Sequence, residues 1–373
     1  MPIRTPGSIH PSRSVPLRHM DCVSSGSFGF IVRTGLCNIL ISGSHPNMLD
    51  ISVIIPTRNS MGHLKAHLNA LLPWLSEVKQ VVVVDSESTD GTVEYFHEHL
   101  SHPNLVFIEH PPGLYESWNA AIQRVEANYL HFATVGDVMP FESLVELYQI
   151  AVNEDADVVL SPPEIVMPDG QRNFAGWPIH RYCEALSSNE PYVLPSVERF
   201  IWNVHALPGT LIGSSSSNLY RTSVLKSEPF PCEYGHAGDS AWAIARPHTE
   251  RWVVAPAVES IFIKHASSGR QRWGSVLSRP KLYQLAVDAF RTLSRSTKAD
   301  EPGYSLLGEL HLLLEMYVQK GQLVEEWNSV REGAIPWFLQ PRAIGLRRKR
   351  KQLDLKLRCL ADDLCARVVG SEK

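Results

Sequence analysis

From Asp50 onward the chain alternates between two hydrophobic rhythms. Short unbroken apolar runs rich in β-branched residues, "ISVIIP", "VKQVVVVD", "NLVFIE", "YLHFA" and "ADVVLS", have the length and composition of strands buried on both faces. Between them apolar residues recur at helical spacing. Leu64, Leu68, Leu71 and Leu75 share one face, and further helices are expected through Tyr95 and Phe96, from about Tyr115 to Val125, and from Phe141 to Val152. Strands alternating with helices in this way predict an α/β fold with a doubly wound, mostly parallel sheet covered on both faces. Right-handed crossovers then bring the loops after each strand to one edge, and ligands of such sheets bind there, outside the carboxyl ends of the strands.

Outside this core the pattern changes twice. Residues 1–48 are rich in Ser, Pro, Gly and Arg without sustained periodicity and are expected to form a poorly ordered extension. Beyond Pro162 regularity fades until about residue 275, with apolar runs at "YVLP" and "RWVVAPAVESIFI"; from 276 to 373 the chain is expected to be helical. Leu282, Leu285, Ala289 and Leu293 make one stripe there, and Leu306, Leu310, Leu313 and Tyr317 another. The organisation expected is thus an extension (1–48), a main α/β domain (49–275, divided at about 160 into two halves) and a helical C-terminal region (276–373).

Composition excludes more than it reveals. The 373 residues carry a net charge of -4, which gives no general reason to expect nucleic acid as a partner. Six cysteines without a C-x-x-C pair argue against a zinc site or a disulfide framework and fit a reducing compartment. No apolar stretch approaches the roughly 20 residues of a membrane span, and "FGFIVRTGLCNILI", interrupted by Arg33, does not read as a signal peptide. A cytoplasmic protein is expected. One local excess stands out: residues 342–358 hold eight Lys or Arg against one Asp. With Leu353, Leu357, Leu360 and Leu364 on one helical face, that stretch suits either peripheral contact with the inner face of a membrane or simple packing with solvated charges.

Candidate chemistry follows from the sheet edge. Asp85 closes the second strand in "VVVVDSESTDGT", and Asp137 follows the fourth in "YLHFATVGDVMP". Carboxylates at that edge can accept hydrogen bonds from a ribose or base, or hold a divalent cation that bridges two phosphates. Each can equally cap the turn or helix that follows it. The first strand is followed by "PTRNSMG" rather than G-x-G-x-x-G, and neither a P-loop nor a G-x-S-x-G elbow occurs. A dinucleotide site, a P-loop NTPase and an α/β-hydrolase are therefore excluded.

Over about 110 residues, "ISVIIPTRN", "VVVVDSESTDGT", "YESWNAAI" and "YLHFATVGDV" in this order resemble the family 2 glycosyltransferases of GT-A fold. The resemblance implies a nucleotide-diphosphate sugar donor and Mn²⁺ or Mg²⁺. It implies that Pro56, Thr57 and Arg58 line the base and ribose, that Asp85 sits beside the nucleoside with Ser86 next to it, and that Asn119 flanks the nucleotide. Asp137 matches the last acid of the family's Asp-x-Asp motif, a metal ligand on the donor diphosphate. Further along, "HAGDSAWAI" resembles the family's acidic motif ahead of a Trp and makes Asp239 the candidate base, although the same Asp can cap the helix behind it. "FIKHASSGRQRWG" offers His265 as a second metal ligand and Arg270 and Arg272 as partners of the leaving diphosphate.

The chain departs from the family at Ser86, where many relatives have a second Asp, at Val135 and Gly136, where further acids are common, at Trp118, which replaces an Arg, and at Gly238, which replaces a Glu. The function implied is transfer of a sugar, with inversion, from a nucleotide-diphosphate donor to a glycan, lipid-linked or small acceptor, as in polysaccharide biosynthesis. Two alternatives remain at this level: a sugar-nucleotide-binding protein with impaired catalysis, and a nucleotidyltransferase, which "PTRNSMG" serves poorly because it lacks a glycine-rich basic loop.

Overall fold

The computed structural model describes residues 48–173, 176–264, 279–331, 338 and 340–369. Five apolar runs form the expected strands β1 (Leu49–Thr57), β2 (Val78–Asp85), β3 (Leu105–Glu109), β4 (Tyr129–Phe132) and β5 (Val158–Leu160). Ile51, Val53, Ile54, Ile55 and Val81 to Val84 have no exposed surface, and each such side chain contributes about 1.5–3 kcal/mol relative to an exposed one. Burial on both faces explains why β1, β2, β4 and β5 read as unbroken apolar runs, whereas β3, at the edge of the sheet, is only half-buried. Helices α1 (Met61–Leu71), α2 (Thr92–His99), α3 (Leu114–Ile122) and α4 (Phe141–Asn153) connect them. Leu64, Leu68 and Leu71 are buried on α1 as their spacing predicts, but the helix ends ahead of Pro73, and Leu75 falls in a separate short turn.

The less regular middle adds β6 (Glu164–Val166), β7 (Arg172–Asn173), α5 (Pro178–Leu186), β8 (Tyr192–Leu194), α6 (Ser196–His205), β9 (Leu219–Arg221), α7 (Thr222–Ser227), α8 (Gly238–Ala245), β10 (Trp252–Val254) and β11 (Ile261–Ile263). The main sheet has the order β3-β2-β1-β4-β9-β5-β10-β8. Six of its strands run one way; β9 and β8 run against them. β1 lies between β2 and β4 and parallel to both, so the loops after these three strands open on the same edge. A small second sheet, β11-β6-β7, lies beyond it.

The C-terminal region consists of α9 (Arg279–Ser296), α10 (Leu307–Arg331) and α11 (Pro341–Val368). Leu282, Ala289, Leu293, Leu306, Leu310, Leu313 and Tyr317 are buried, as the two stripes predict. α9 packs on α8 and α11 on α6, so these helices share one core with the sheet. Among the described residues, no helix is long and apolar enough to cross a membrane.

Candidate active site

A cavity of about 600 Å³ opens at the carboxyl edge. Its floor comes from the loops after β1, β2 and β4: Pro56, Thr57, Arg58 and Ser60, then Ser86, then Thr134 and Val135. One wall is the start of α3, with Gly113, Tyr115, Glu116 and Trp118, and the opposite side carries Cys232, Gly235 and His236.

The first two loops are laced together. Asn59 Oδ1 accepts from the Thr89 amide at 2.8 Å, and Ser88 Oγ accepts from the Asn59 amide at 2.7 Å. Asp90 receives the Met61 amide at 3.1 Å, and Thr92 Oγ1 receives that of Ser60 at 2.9 Å. The Ser, Thr and Asp residues of "SESTDGT" therefore serve as a brace that fixes the floor. Asp85 belongs to the same brace, since its carboxylate accepts from the Ser88 amide at 2.8 Å and from Ser88 Oγ at 2.5 Å. It is 1% exposed, and Ser86 is the neighbour that reaches the cavity.

Asp137 lies on the same edge as Asp85 but faces protein groups. Its Oδ2 accepts from Ser216 Oγ at 2.6 Å and its Oδ1 from the Ile263 amide at 3.0 Å. Burial raises the carboxyl pKa to about 7, against the lowering effect of those two hydrogen bonds. Ser216 is held by Ser214, and Ser217 accepts from Ser161, so the run Ser214–Ser217 is a buried hydrogen-bonded support for Asp137. Gly136 has φ of +107°, a backbone conformation in which a side chain is strained, which accounts for the missing acid there. Among the described residues, no group of three or more His, Cys, Asp or Glu is placed to hold a metal ion. Each Asp137 oxygen accepts one hydrogen bond from the protein and keeps a second acceptor site, so Asp137 is the described acid at this edge that a divalent cation on a diphosphate could use. His265, Arg270 and Arg272 lie outside the described residues.

The far wall is built around Tyr115. Its ring packs against Trp118 and Phe230, and its hydroxyl hydrogen-bonds the Asp239 carboxyl. Burial is the largest influence on Asp239 and raises its pKa, while the Ser240 amide, at 2.6 Å, and Tyr115 pull it back down. Gly238 adjoins this pair. A Cβ there would stand 2.5 Å from Tyr115 Cδ2 and 2.9 Å from the Pro231 carbonyl oxygen, so the ring fills the space that a larger residue at 238 needs. Asn119 fixes the same wall from behind: its Nδ2 donates to Phe230 O at 2.8 Å, and its Oδ1 accepts the Phe230 amide at 3.1 Å. It is a brace for the 230–238 segment rather than a lining residue. Trp118, where relatives have Arg, stacks on Phe132 at 4.3 Å.

Of the residues the sequence points to, Pro56, Thr57, Arg58 and Ser86 meet at the cavity. Tyr115, Cys232 and His236 were not singled out, although Tyr115 and His236 lie inside the quoted segments "YESWNAAI" and "HAGDSAWAI". Burial of an aromatic next to an acidic motif is a tertiary fact that spacing does not carry.

Residues 52–226 match the model of the family described as Glycosyl transferase family 2. That segment, just under half of the chain, is similar to the family 2 glycosyltransferases. Two solved structures of TM-score above 0.5 share the fold. S. aureus TarS 1-349 in complex with UDP-GlcNAc is 20% identical, aligns over 86% of this chain and 91% of that chain, and gives a TM-score of 0.54. A second structure of S. aureus TarS is 18% identical over 86% of this chain and 55% of that one, with a TM-score of 0.51. The mannosyltransferase PcManGT from Pyrobaculum calidifontis, in complex with GDP-Man and Mn²⁺, is 17% identical over 90% and 91%, with a TM-score of 0.46. No curated protein matches the chain.

Proposed function

We propose that the chain binds a nucleoside-diphosphate sugar in the cavity at the carboxyl edge and transfers the sugar, with inversion, to a hydroxyl of a glycan, lipid-linked or small acceptor. The observation that carries this reading is the convergence of Thr57, Arg58, Ser86 and Thr134 from three parallel strands on one cavity of about 600 Å³, facing Tyr115 and its partner Asp239. Pro56 and Thr57 are offered to base and ribose, with Ser86 beside them and Asp85 holding that loop in shape. Arg58 is the Lys or Arg among the lining residues and meets the diphosphate by charge-assisted hydrogen bonds. Asp239 takes the proton of the acceptor hydroxyl as that oxygen attacks the anomeric carbon and the nucleoside diphosphate leaves. Burial raises its pKa, which makes the carboxylate a stronger base than an exposed one. No step is routed through a metal.

The test is a donor screen followed by one variant. UDP- and GDP-linked sugars are compared for thermal stabilisation of the full chain, since a ligand that binds only the native state raises its stability. With the donor found, Asp239→Asn should keep that stabilisation and lose about 10²–10⁴ in transfer rate. Stabilisation without turnover in the wild-type chain would favour a sugar-nucleotide-binding protein instead.

A further inference from the structure

Helix α11 buries one apolar face and leaves two large aliphatic residues exposed on the opposite side. Leu346, Leu353, Leu357 and Leu364 are buried against the domain, where α11 packs on α10 and α6. On the opposite side Leu355 is 65% exposed and Ile344 40% exposed. At 100° per residue, Ile344, Arg348, Lys351, Leu355 and Arg358 fall within an arc of about 80°, with Arg347 at its margin. The two apolar side chains stand about 16 Å apart along the axis with Arg348 and Lys351 between them. Just ahead of the helix, Phe338 is 59% exposed.

The ion pairs of this helix lie away from Arg348, Lys351 and Arg358. Asp354, the acid within residues 342–358, is paired with Lys320 at 2.7 Å. Arg342 reaches Glu326, and Arg367 reaches Glu309 and Asp363. Among the described residues no ion pair joins Arg348, Lys349, Lys351, Lys356 or Arg358, and all five are exposed. Toward the C-terminus the face ends at Asp362, which is engaged by His205 at 2.7 Å.

We propose that this outer face of α11 docks the protein on an anionic lipid surface, with Ile344 and Leu355 entering the headgroup layer and Arg348, Lys351 and Arg358 meeting lipid phosphates. Charge complementarity selects an anionic partner. The interleaved aliphatics select a lipid surface over a nucleic acid, because phosphate contacts alone give Leu355 nothing to bury it. Long basic side chains flanking an aliphatic one can lay their methylenes along the interface while their charges stay at the phosphates. The inference stands apart from the sugar-transfer reading and uses none of its residues.

The experiment is co-sedimentation of the full-length chain with phosphatidylcholine vesicles, with and without about one third phosphatidylglycerol. Binding to the anionic vesicles only, weakening as added salt shortens the screening length, is the expected result. Arg348→Gln with Lys351→Gln should weaken it about 25-fold, at roughly fivefold per basic side chain. Leu355→Ser should weaken vesicle binding several-fold while leaving any binding to a DNA duplex unchanged. Unfolding midpoints of all variants should match wild type, because each position is on the outer face. Absence of vesicle binding overturns the inference, as does equal binding to uncharged vesicles or wild-type binding by either variant. Loss of a dimer in Leu355→Ser, without vesicle binding by wild type, overturns it in favour of a second copy of the chain.

Discussion

Gly238→Ala sets two local effects against each other and so tests the architecture of the acidic wall. Residue 238 has φ of -62° and ψ of -40°, ordinary helical values at the start of α8. By backbone preference alone Ala is the better residue in a helix, by up to about 1 kcal/mol. Against this, the added methyl carbon would lie 2.5 Å from Tyr115 Cδ2, 2.6 Å from Cε2 and 2.9 Å from the Pro231 carbonyl oxygen. Tyr115 is 3% exposed and held by Trp118 and Phe230, so its ring has little room to yield. Overpacking of this kind costs about 1–3 kcal/mol, so steric strain wins and a net loss of about 1–2 kcal/mol is expected. Activity should fall further than stability, because the ring that must move carries the hydroxyl bonded to Asp239. Urea midpoints give the first quantity and kcat/KM with the donor found by the screen gives the second. Combining Gly238→Ala with Tyr115→Ala removes the ring contact, and the pair should be non-additive by about 1 kcal/mol or more. A Gly238→Ala protein as stable and as active as wild type would refute the reasoning, since helix preference would then have outweighed a clash that does not exist in solution.

Three further outcomes are expected. Burial holds the His131 and His67 imidazoles down at about 4, below the ordinary 6.5, so the unfolded chain binds more protons in that window; their contribution to stability should be full above pH 6.5 and be lost as pH falls from 6.5 towards 4, against an opposite and smaller contribution from Asp137, whose raised pKa favours the folded state at the lower pH. His131→Gln should flatten that slope in urea titrations at stepped pH, and an unchanged slope would refute the assignment. Arg199 has no exposed surface, donates to Glu250 O at 2.7 Å and Arg246 O at 3.0 Å, and lies 4.8 Å over the Trp252 ring; Arg199→Ala should cost about 3–5 kcal/mol in urea unfolding, and a loss under about 1 kcal/mol would contradict it. Arg58→Ala should leave the urea midpoint near wild type, because the side chain is exposed, yet weaken nucleoside-diphosphate binding about tenfold by calorimetry; equal affinity would remove Arg58 from the diphosphate site.

The parts of the fold that were legible in the sequence are those in which one strong physical requirement acts locally. Strands β1, β2 and β4 are buried on both faces, which leaves an unbroken apolar run that nothing polar interrupts. The stripes of α9 and α10 record one buried face each. The reversed strand β9 was not legible, because three residues, Leu219–Arg221, carry no direction; it is the neighbours β4 and β5 that set it. In the site, Pro56, Thr57, Arg58 and Ser86 could be placed because a residue that ends a parallel strand has its position fixed by the sheet. Where Asp137 points could not, since that depends on Ser216, 79 residues away. The leucines of α11 at 353, 357 and 364 pack as their spacing indicates, whereas Leu355 and Ile344 on the other face are visible as exposed only once α10 and α6 are in place.

The departures from the family pattern belong to one rearrangement rather than to scattered losses. Gly136, at φ of +107°, lets the chain after β4 turn so that Asp137 is directed at Ser216 and Ile263, leaving Thr134 and Val135 on the cavity floor. Across the cavity, Gly238 admits the Tyr115 ring, and Tyr115 supplies Asp239 with a neutral hydrogen-bond donor where a second carboxylate would repel it. Both changes remove negative charge from the region that a diphosphate must enter, and both leave the acid that remains braced by a hydroxyl. Arg58 on the floor then faces a site with less anionic competition for it, which is the arrangement a donor diphosphate requires if its charge is to be met by side chains of the protein. Restoring a carboxylate at either glycine should therefore weaken donor binding even where the fold tolerates it.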